Sequence, residues 1–188
     1  MSDLKRTQLY NVHIQAGASM VDFGGWEMPI QYPTGIVAEH LYTRHACSLF
    51  DVSHMGRLLV EGPDRVKFLQ HVLSSNVLAL DLNQAQYCII PDQDGGAVDD
   101  AYLYRFEENR FLLVVNAANT DKDLAHLNKI LPDYNCSITN ITGAVPSSWP
   151  YRGKPASSRR VSRAHRPAGF APSSTRRFHS QAASPLSM

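Results

Sequence analysis

The stretch that decides the fold is Gln86-Tyr87-Cys88-Ile89-Ile90-Pro91-Asp92-Gln93-Asp94-Gly95-Gly96-Ala97-Val98-Asp99-Asp100-Ala101-Tyr102-Leu103-Tyr104-Arg105-Phe106, continuing through Glu107-Glu108-Asn109-Arg110 into Phe111-Leu112-Leu113-Val114-Val115. Three runs rich in β-branched and aromatic residues are separated by two polar segments, one of them carrying a Gly-Gly pair. Runs of this composition bounded by turn residues read as strands. Short connections between them predict an antiparallel meander over 86–90, 97–106 and 111–115.

Outward from this core, Arg57–Val60 reads as a further short strand and Cys136–Ile141 as an edge strand. Helices flank them. Residues 35–47 can form one, with Ile36, Val37 and Leu41 on one side. Gly62-Pro63-Asp64 opens a second, with proline at a position whose backbone donor would be unpaired anyway. Val66, Leu69, Val72 and Leu73 then recur at spacings of three and four, as a buried stripe does. A third begins near Thr120, where Thr120 and Asp123 fit a capping box. Leu124, Leu127 and Leu131 form its inner face, and Pro132 stops it. The expected class is α+β, an antiparallel meander packed with helices.

Charge divides the 188 residues in two. All 17 acidic residues lie between Asp3 and Asp133, while 8 of the 18 basic ones follow Gly143. Residues 144–188 hold no acid, and 10 Ser, 7 Arg, 7 Ala and 6 Pro make up most of them. A segment with so little to bury cannot offset its ordering entropy, so 1–143 is expected to fold and 144–188 to be a disordered basic tail. The hydrophobic share of 44% gives the folded part a real core. No run of 18 apolar residues exists, which predicts no membrane-spanning helix. Cys47, Cys88 and Cys136 form no CxxC, and an odd number cannot all pair, which points to a reducing, cytoplasmic setting.

Asp99-Asp100 is the first candidate for chemistry. Strand neighbours face opposite ways, so at most one serves a given pocket. Asp100 shares its side with Tyr102 and Tyr104, and Asp99 shares its side with Ala101 and Leu103. The residues alone leave two readings open. Both acids can be solvated strand-end groups after a Gly-Gly turn. Alternatively, one carboxylate stands over an apolar sheet face among Tyr87, Tyr104 and Met55, to meet a cationic or amine-bearing ligand. His40 and His45 lie five apart, off a common helical face and without Glu or Cys at ligand spacing, so no metal site is expected. Ser53-His54 lacks a GxSxG elbow, and neither a Walker loop nor GxGxxG is present. The Arg-rich tail could contact phosphates. It lacks regular basic–aromatic interleaving and reads as an incidental charged tail, so no nucleic-acid partner is expected.

Four longer words go further: Val21-Asp22-Phe23-Gly24-Gly25-Trp26-Glu27-Met28-Pro29, Phe50-Asp51-Val52-Ser53-His54-Met55-Gly56, Gly95-Gly96-Ala97-Val98-Asp99-Asp100 and Val114-Val115-Asn116-Ala117-Ala118-Asn119. In this order and spacing, the chain from about Thr7 to Thr142 resembles the N-terminal part of the aminomethyltransferases, the T-proteins of the glycine cleavage system. The resemblance implies three domains around a folate channel. It also implies transfer of a methylene group from an aminomethyl-lipoyl carrier protein (H-protein) to tetrahydrofolate, with release of ammonia. Tetrahydrofolate would be the acceptor substrate, with no metal. By motif, Asp100 matches the family's carboxylate beside the folate N10, and Tyr87 resembles a folate-contacting tyrosine. Met55, Tyr104 and Asn116 match positions lining that pocket. Past Gly143 the likeness stops, as an out-of-frame tail would make it stop, and the chain as given is expected to be weak or inactive. The alternatives are a non-catalytic folate-binding relative of the iron–sulfur assembly type, and an RNA-binding module using the tail.

Overall fold

The computed structural model describes residues 4–144 and the backbone of the strand Ser148–Arg152. Its centre is a five-stranded sheet in the order β6-β7-β8-β5-β9. The strands are β5 (Gly56–Glu61), β6 (Gln84–Pro91), β7 (Ala97–Glu107), β8 (Arg110–Val115) and β9 (Ser137–Asn140). Every neighbouring pair is antiparallel. The expected meander is β6-β7-β8, the short candidate at 57–60 lies in β5, and the expected edge strand is β9.

Alternation gives this sheet two unlike faces. On one, Leu58, Val60, Cys88, Ile90, Ala101, Leu103, Phe111, Leu113 and Val115 are buried in a single cluster with Phe68, Leu69 and Val72 of helix α3 (Arg65–Val72) and Leu127 of helix α4 (Thr120–Ile130). Both helices therefore cover that face. The other carries Tyr102, Tyr104 and Phe106, whose rings follow one another at 6.0 and 5.3 Å. Tyr102 and Phe106 remain 45% and 55% exposed, so no element of the described residues covers this side.

Two helix starts differ from expectation. In α3 the first helical bond runs from Phe68 N–H to Asp64 C=O, so Asp64 and not Pro63 borders the helix. Asp64 is fixed there from both sides: its N–H bonds to Asn135 C=O, and its carboxylate accepts from Asn135 N–H at 3.0 Å. In α4 the Thr120–Asp123 capping box does not form. Asn119 is the cap residue, and the Thr120 hydroxyl turns back to the carbonyls of Asn116 and Ala117, each at 3.1 Å. A one-turn 3₁₀ helix over Ala117–Asn119 precedes α4; Ala117 lies in it and Asn116 caps its start. Asp123 is left fully buried against the sheet.

The first 51 residues add β1 (Lys5–Arg6), α1 (Tyr10–Gln15), β2 (Ser19–Phe23), β3 (Trp26–Gln31), α2 (Ile36–His45) and β4 (Cys47–Asp51). β2 and β3 form a hairpin across Gly24-Gly25, both at positive φ, which a two-residue turn of this hand requires. β1 pairs in parallel with β3. Helix α2 lies within the expected 35–47, yet Ile36, Val37 and Leu41 are more than half exposed, so its apolar side is not a core face here.

β10 (Ser148–Arg152) pairs antiparallel with β4 and corrects the expectation that regular structure ends at Gly143. Trp149 and Tyr151 favour strands, Pro150 is tolerated at an edge, and β4 offers unpaired backbone groups. The remainder of the expected tail, 153–188, lies outside the described residues. Among the described residues no helix is long and apolar enough to cross a membrane, and the three cysteines are free.

Candidate functional site

The site grows from the register of β7. Asp100 pairs with Ile89, Tyr102 with Tyr87 on one side and Val114 on the other, and Tyr104 with Ala85 and Leu112. Directly paired residues share a face, so Asp100, Tyr102, Tyr104 and Tyr87 stand on the open side of the sheet. Asp99 stands on the helix side with Ala101 and Leu103. The alternation read from the sequence holds.

A pocket of about 380 Å³ opens on that side, lined by Val52, Met55, Ala85, Asp100, Ala101, Tyr102, Tyr104, Val114 and Asn116. This size lies within the range of small-molecule sites. Its walls are mainly apolar, and Asp100 is the one carboxylic acid that lines it. Met55, Asp100, Tyr104 and Asn116, all singled out in the sequence, line it together. Tyr87 flanks it, with its ring 5.7 Å from that of Tyr102. The Tyr87 phenol is pushed up by residual desolvation and by the nearby Asp100 carboxylate. Tyr104 is raised chiefly by burial.

Asn116 closes the end of the pocket. It follows β8 directly, one step beyond the Ala101–Val115 pair, which sets it opposite Asp100. Its Nδ2 donates to Asp100 Oδ1 at 2.9 Å and to Asp99 Oδ1 at 3.0 Å. A side-chain amide nitrogen carries two hydrogens, and each is used on a different carboxylate. Asp99 and Asp100 thus face opposite ways and are still tied through one amide. Burial alone would push Asp99 up, but hydrogen bonds from Asp123, Asn116, the Asp100 backbone and Asn119 outweigh it and hold Asp99 below the usual carboxylate range. Asp123 goes the other way, pushed up to about 7 by burial and by its contact with Asp99.

Val52 and Met55 reach the pocket from the loop between β4 and β5. A turn bond from Met55 N–H to Val52 C=O shapes that loop, and Asp51 anchors it. The Asp51 carboxylate accepts from Thr7 Oγ1 (2.8 Å), His13 Nε2 (2.9 Å) and Ser53 N–H (2.9 Å). At the loop's end, Gly56 has no room for a side chain, because a Cβ there would collide with Val115 and Thr120. The Ser53-His54 step has a structural part. His54 is buried edge-on against Phe23 and Trp26, and burial lowers its affinity for a proton.

A larger cavity of about 750 Å³ lies among β3, α2 and β4, bordered by His13, Tyr32, Glu39 and Asp51. It holds none of Met55, Tyr87, Asp100, Tyr104 and Asn116, though His40 borders it. No group of three or more His, Cys, Asp or Glu side chains among the described residues is placed to hold a metal.

Sequence reasoning missed Val52, Ala85, Val114 and Asp123. The first three are small aliphatic positions whose part depends on the register. Asp123 carried a signal, but one that fitted a helix cap equally well.

Comparison with known proteins agrees with this architecture. Residues 9–147 match the family described as GCVT N-terminal domain. An aminomethyltransferase of Desulfitobacterium hafniense is 48% identical over 143 residues, which are 76% of this chain and 39% of the relative. One of Thermus thermophilus is 47% identical over 135 residues, 72% of this chain and 38% of the relative. The crystal structure of glycine cleavage system aminomethyltransferase T from Bartonella henselae superposes with a TM-score of 0.75 at 38% identity, over 81% of this chain and 42% of that one. The chain therefore spans about two-fifths of the length of the relatives it matches. Across the stretch that builds the pocket and the sheet beneath it, this chain belongs to the aminomethyltransferase family, as its GCVT N-terminal domain.

Proposed function

We propose that this chain carries the tetrahydrofolate-facing part of an aminomethyltransferase of glycine cleavage. In the full reaction, a methylene carbon passes from the aminomethyl-lipoyl arm of the H-protein to tetrahydrofolate, and ammonia leaves. The observation that carries this reading is a single carboxylate, Asp100, held by an amide at the end of an aromatic strip in a mainly apolar pocket. A flat amine-bearing ring fits such a site: tyrosines flank its faces, and the carboxylate meets its nitrogen.

The chemistry asks for little more from these residues. Loss of ammonia from a carbon that also bears sulfur builds iminium-like positive charge. An oriented carboxylate stabilises that charge better than water does once the site is closed to solvent. Fixing the folate ring places its N5 in line with the methylene and contributes through positioning. Asp100 acts here as an electrostatic and hydrogen-bonding anchor, and Met55, Tyr87, Tyr104 and Asn116 set the ring's position.

The aromatic face is open among the described residues, with Tyr87 and Tyr102 52% and 45% exposed. Water therefore reaches the site, and this chain is expected to bind tetrahydrofolate without efficient transfer. Titration with tetrahydrofolate, followed by tyrosine and tryptophan fluorescence, tests the reading. Saturable binding weakened by Asp100→Asn supports it, and no binding at millimolar ligand overturns it. Ammonia release from aminomethyl-loaded H-protein measures whether transfer accompanies binding.

A further inference from the structure

We propose that Asp123 is a positioning residue: its carboxyl, on α4 behind the sheet, shares one proton with Asp99 and thereby keeps Asp99 as the acceptor that holds the Asn116 amide against Asp100. The argument begins with an imbalance of donors. Asp99 Oδ2 and both carboxylate oxygens of Asp123 are buried without a hydrogen-bond partner. Asp123 nevertheless lies beside Asp99: its neighbour Lys122 bonds to the carbonyl of Val98, next to Asp99 in β7, and each carboxyl acts on the other's charge. Two ionised carboxylates cannot satisfy each other there, since neither has a hydrogen to give. One proton resolves it. Held on Asp123, it is donated to Asp99 Oδ2, and Asp99 Oδ1 stays free to accept from Asn116 at 3.0 Å.

The charged groups around the pair favour the same arrangement. On its own helix, Asp123 faces Lys122, whose ammonium lies 3.6 Å from Asp123 Oδ1 and donates instead to Val98 C=O. From β7 it faces Asp99. Asp99 in turn receives bonds from Asn116, Asn119 and the Asp100 backbone, which all favour its ionised form. Asp123 is fully buried and has only Lys122, at 3.6 Å and bonded to Val98 C=O, in its favour, so the proton settles there. Protonation of Asp123 near neutrality follows from burial and the neighbouring Asp99. When Asp123 ionises, two buried negative charges repel, Asp99 shifts, and the amide loses its fixed place beside Asp100.

The proton sharing stands on the carboxyl contacts, while its effect on a ligand rests on the folate reading above. Two measurements on the full chain separate them. Carbon NMR of aspartate labelled at the side-chain carboxyl should show one group titrating near pH 7, and that titration should vanish in Asp123→Asn. No aspartate titrating above pH 6, or an unchanged titration in the variant, overturns the proton sharing. In the second measurement, tetrahydrofolate affinity of the parent chain should fall about fivefold or more between pH 6 and pH 8. Asp123→Asn, whose amide donates to Asp99 at any pH, should keep the low-pH affinity throughout, and Asp123→Leu should be weak throughout. A flat parent profile beside an intact NMR titration overturns the positioning role. Absence of folate binding at every pH sinks the folate reading and leaves the NMR result to decide the proton sharing.

Discussion

The side-chain amide of Asn116 and the carboxylate of Asp100 meet at 2.9 Å across neighbouring strands, and the amide's other hydrogen goes to Asp99. One residue thus ties the pocket face of the sheet to its helix face. Asn116→Ala strands two partly buried acids without their shared donor. The expected cost is about 1–3 kcal/mol of stability, read from urea denaturation. A midpoint equal to the parent's would show that the bridge carries no energy.

Asp99 and Asp100 should separate by kind of defect. In a chimera joining residues 1–143 to the remaining length of a full-length relative, Asp100→Asn keeps the shape and removes the charge that the proposed function directs at the reacting amine. Loss of one such contact costs roughly a hundred- to a thousandfold in turnover. Asp99→Asn should act mainly on stability, because Asp99 faces Asp123 and the helices. Ammonia release and thermal melts on both variants check this. Turnover abolished by a stably folded Asp99→Asn, with Asp100→Asn active, would reverse the assignment.

Gly56 is a packing requirement next to Met55. A methyl group there collides with Val115 of β8 and Thr120 at the start of α4. Overpacking of this kind costs about 1–3 kcal/mol. Since Val115 precedes Asn116 and Met55 precedes Gly56, Gly56→Ala should lower both the melting temperature and folate affinity. An unperturbed melt would mean that β5 shifts to admit the methyl group.

What the sequence could reveal follows from how strongly each element is patterned. β6, β7 and β8 were legible because six to eleven residues alternate against a turn-rich background, and one face is fully buried. The same alternation separated Asp100 from Asp99. The first 51 residues gave no such signal. β2 (Ser19–Phe23) has no buried residue, α1 has six residues, and Val21 and Phe23 are exposed, so burial imposes no period on them. Gly24-Gly25 is a hairpin signal in its own right and lies inside the Val21–Pro29 stretch that carries the family resemblance. Asp123 was misread because Thr-x-x-Asp fits a cap locally, and only the 3₁₀ turn before α4 moves the cap to Asn119. Strand β10 was missed because composition over 144–188 averages away a five-residue stretch that needs β4 as its partner.

Asp51 supplies a pH signature opposite in sign to that of Asp123. Its side chain is only 2% exposed. Burial would push the carboxyl up, but hydrogen bonds from His13, Ser53 and Thr7 outweigh it and hold Asp51 below its ordinary value of 3.8. A group whose folded pKa is depressed stabilises the fold above its unfolded pKa and loses that contribution as pH falls through the folded one. Asp51→Asn removes the charged acceptor of the His13 hydrogen bond at 2.9 Å and leaves buried donors poorly matched, at a cost of about 1–3 kcal/mol near neutral pH. The gap between parent and variant should hold steady from pH 5 to pH 8 and close below about pH 4, where protonation makes the parent resemble the variant. Because Asp51 also fixes Ser53 N–H, and Val52 and Met55 hang from the same loop, folate affinity should fall together with stability. Urea midpoints at half-unit pH steps, with folate titrations at pH 7, measure both. A gap that persists undiminished to pH 2.5 would show that the carboxylate's charge is not what holds the loop.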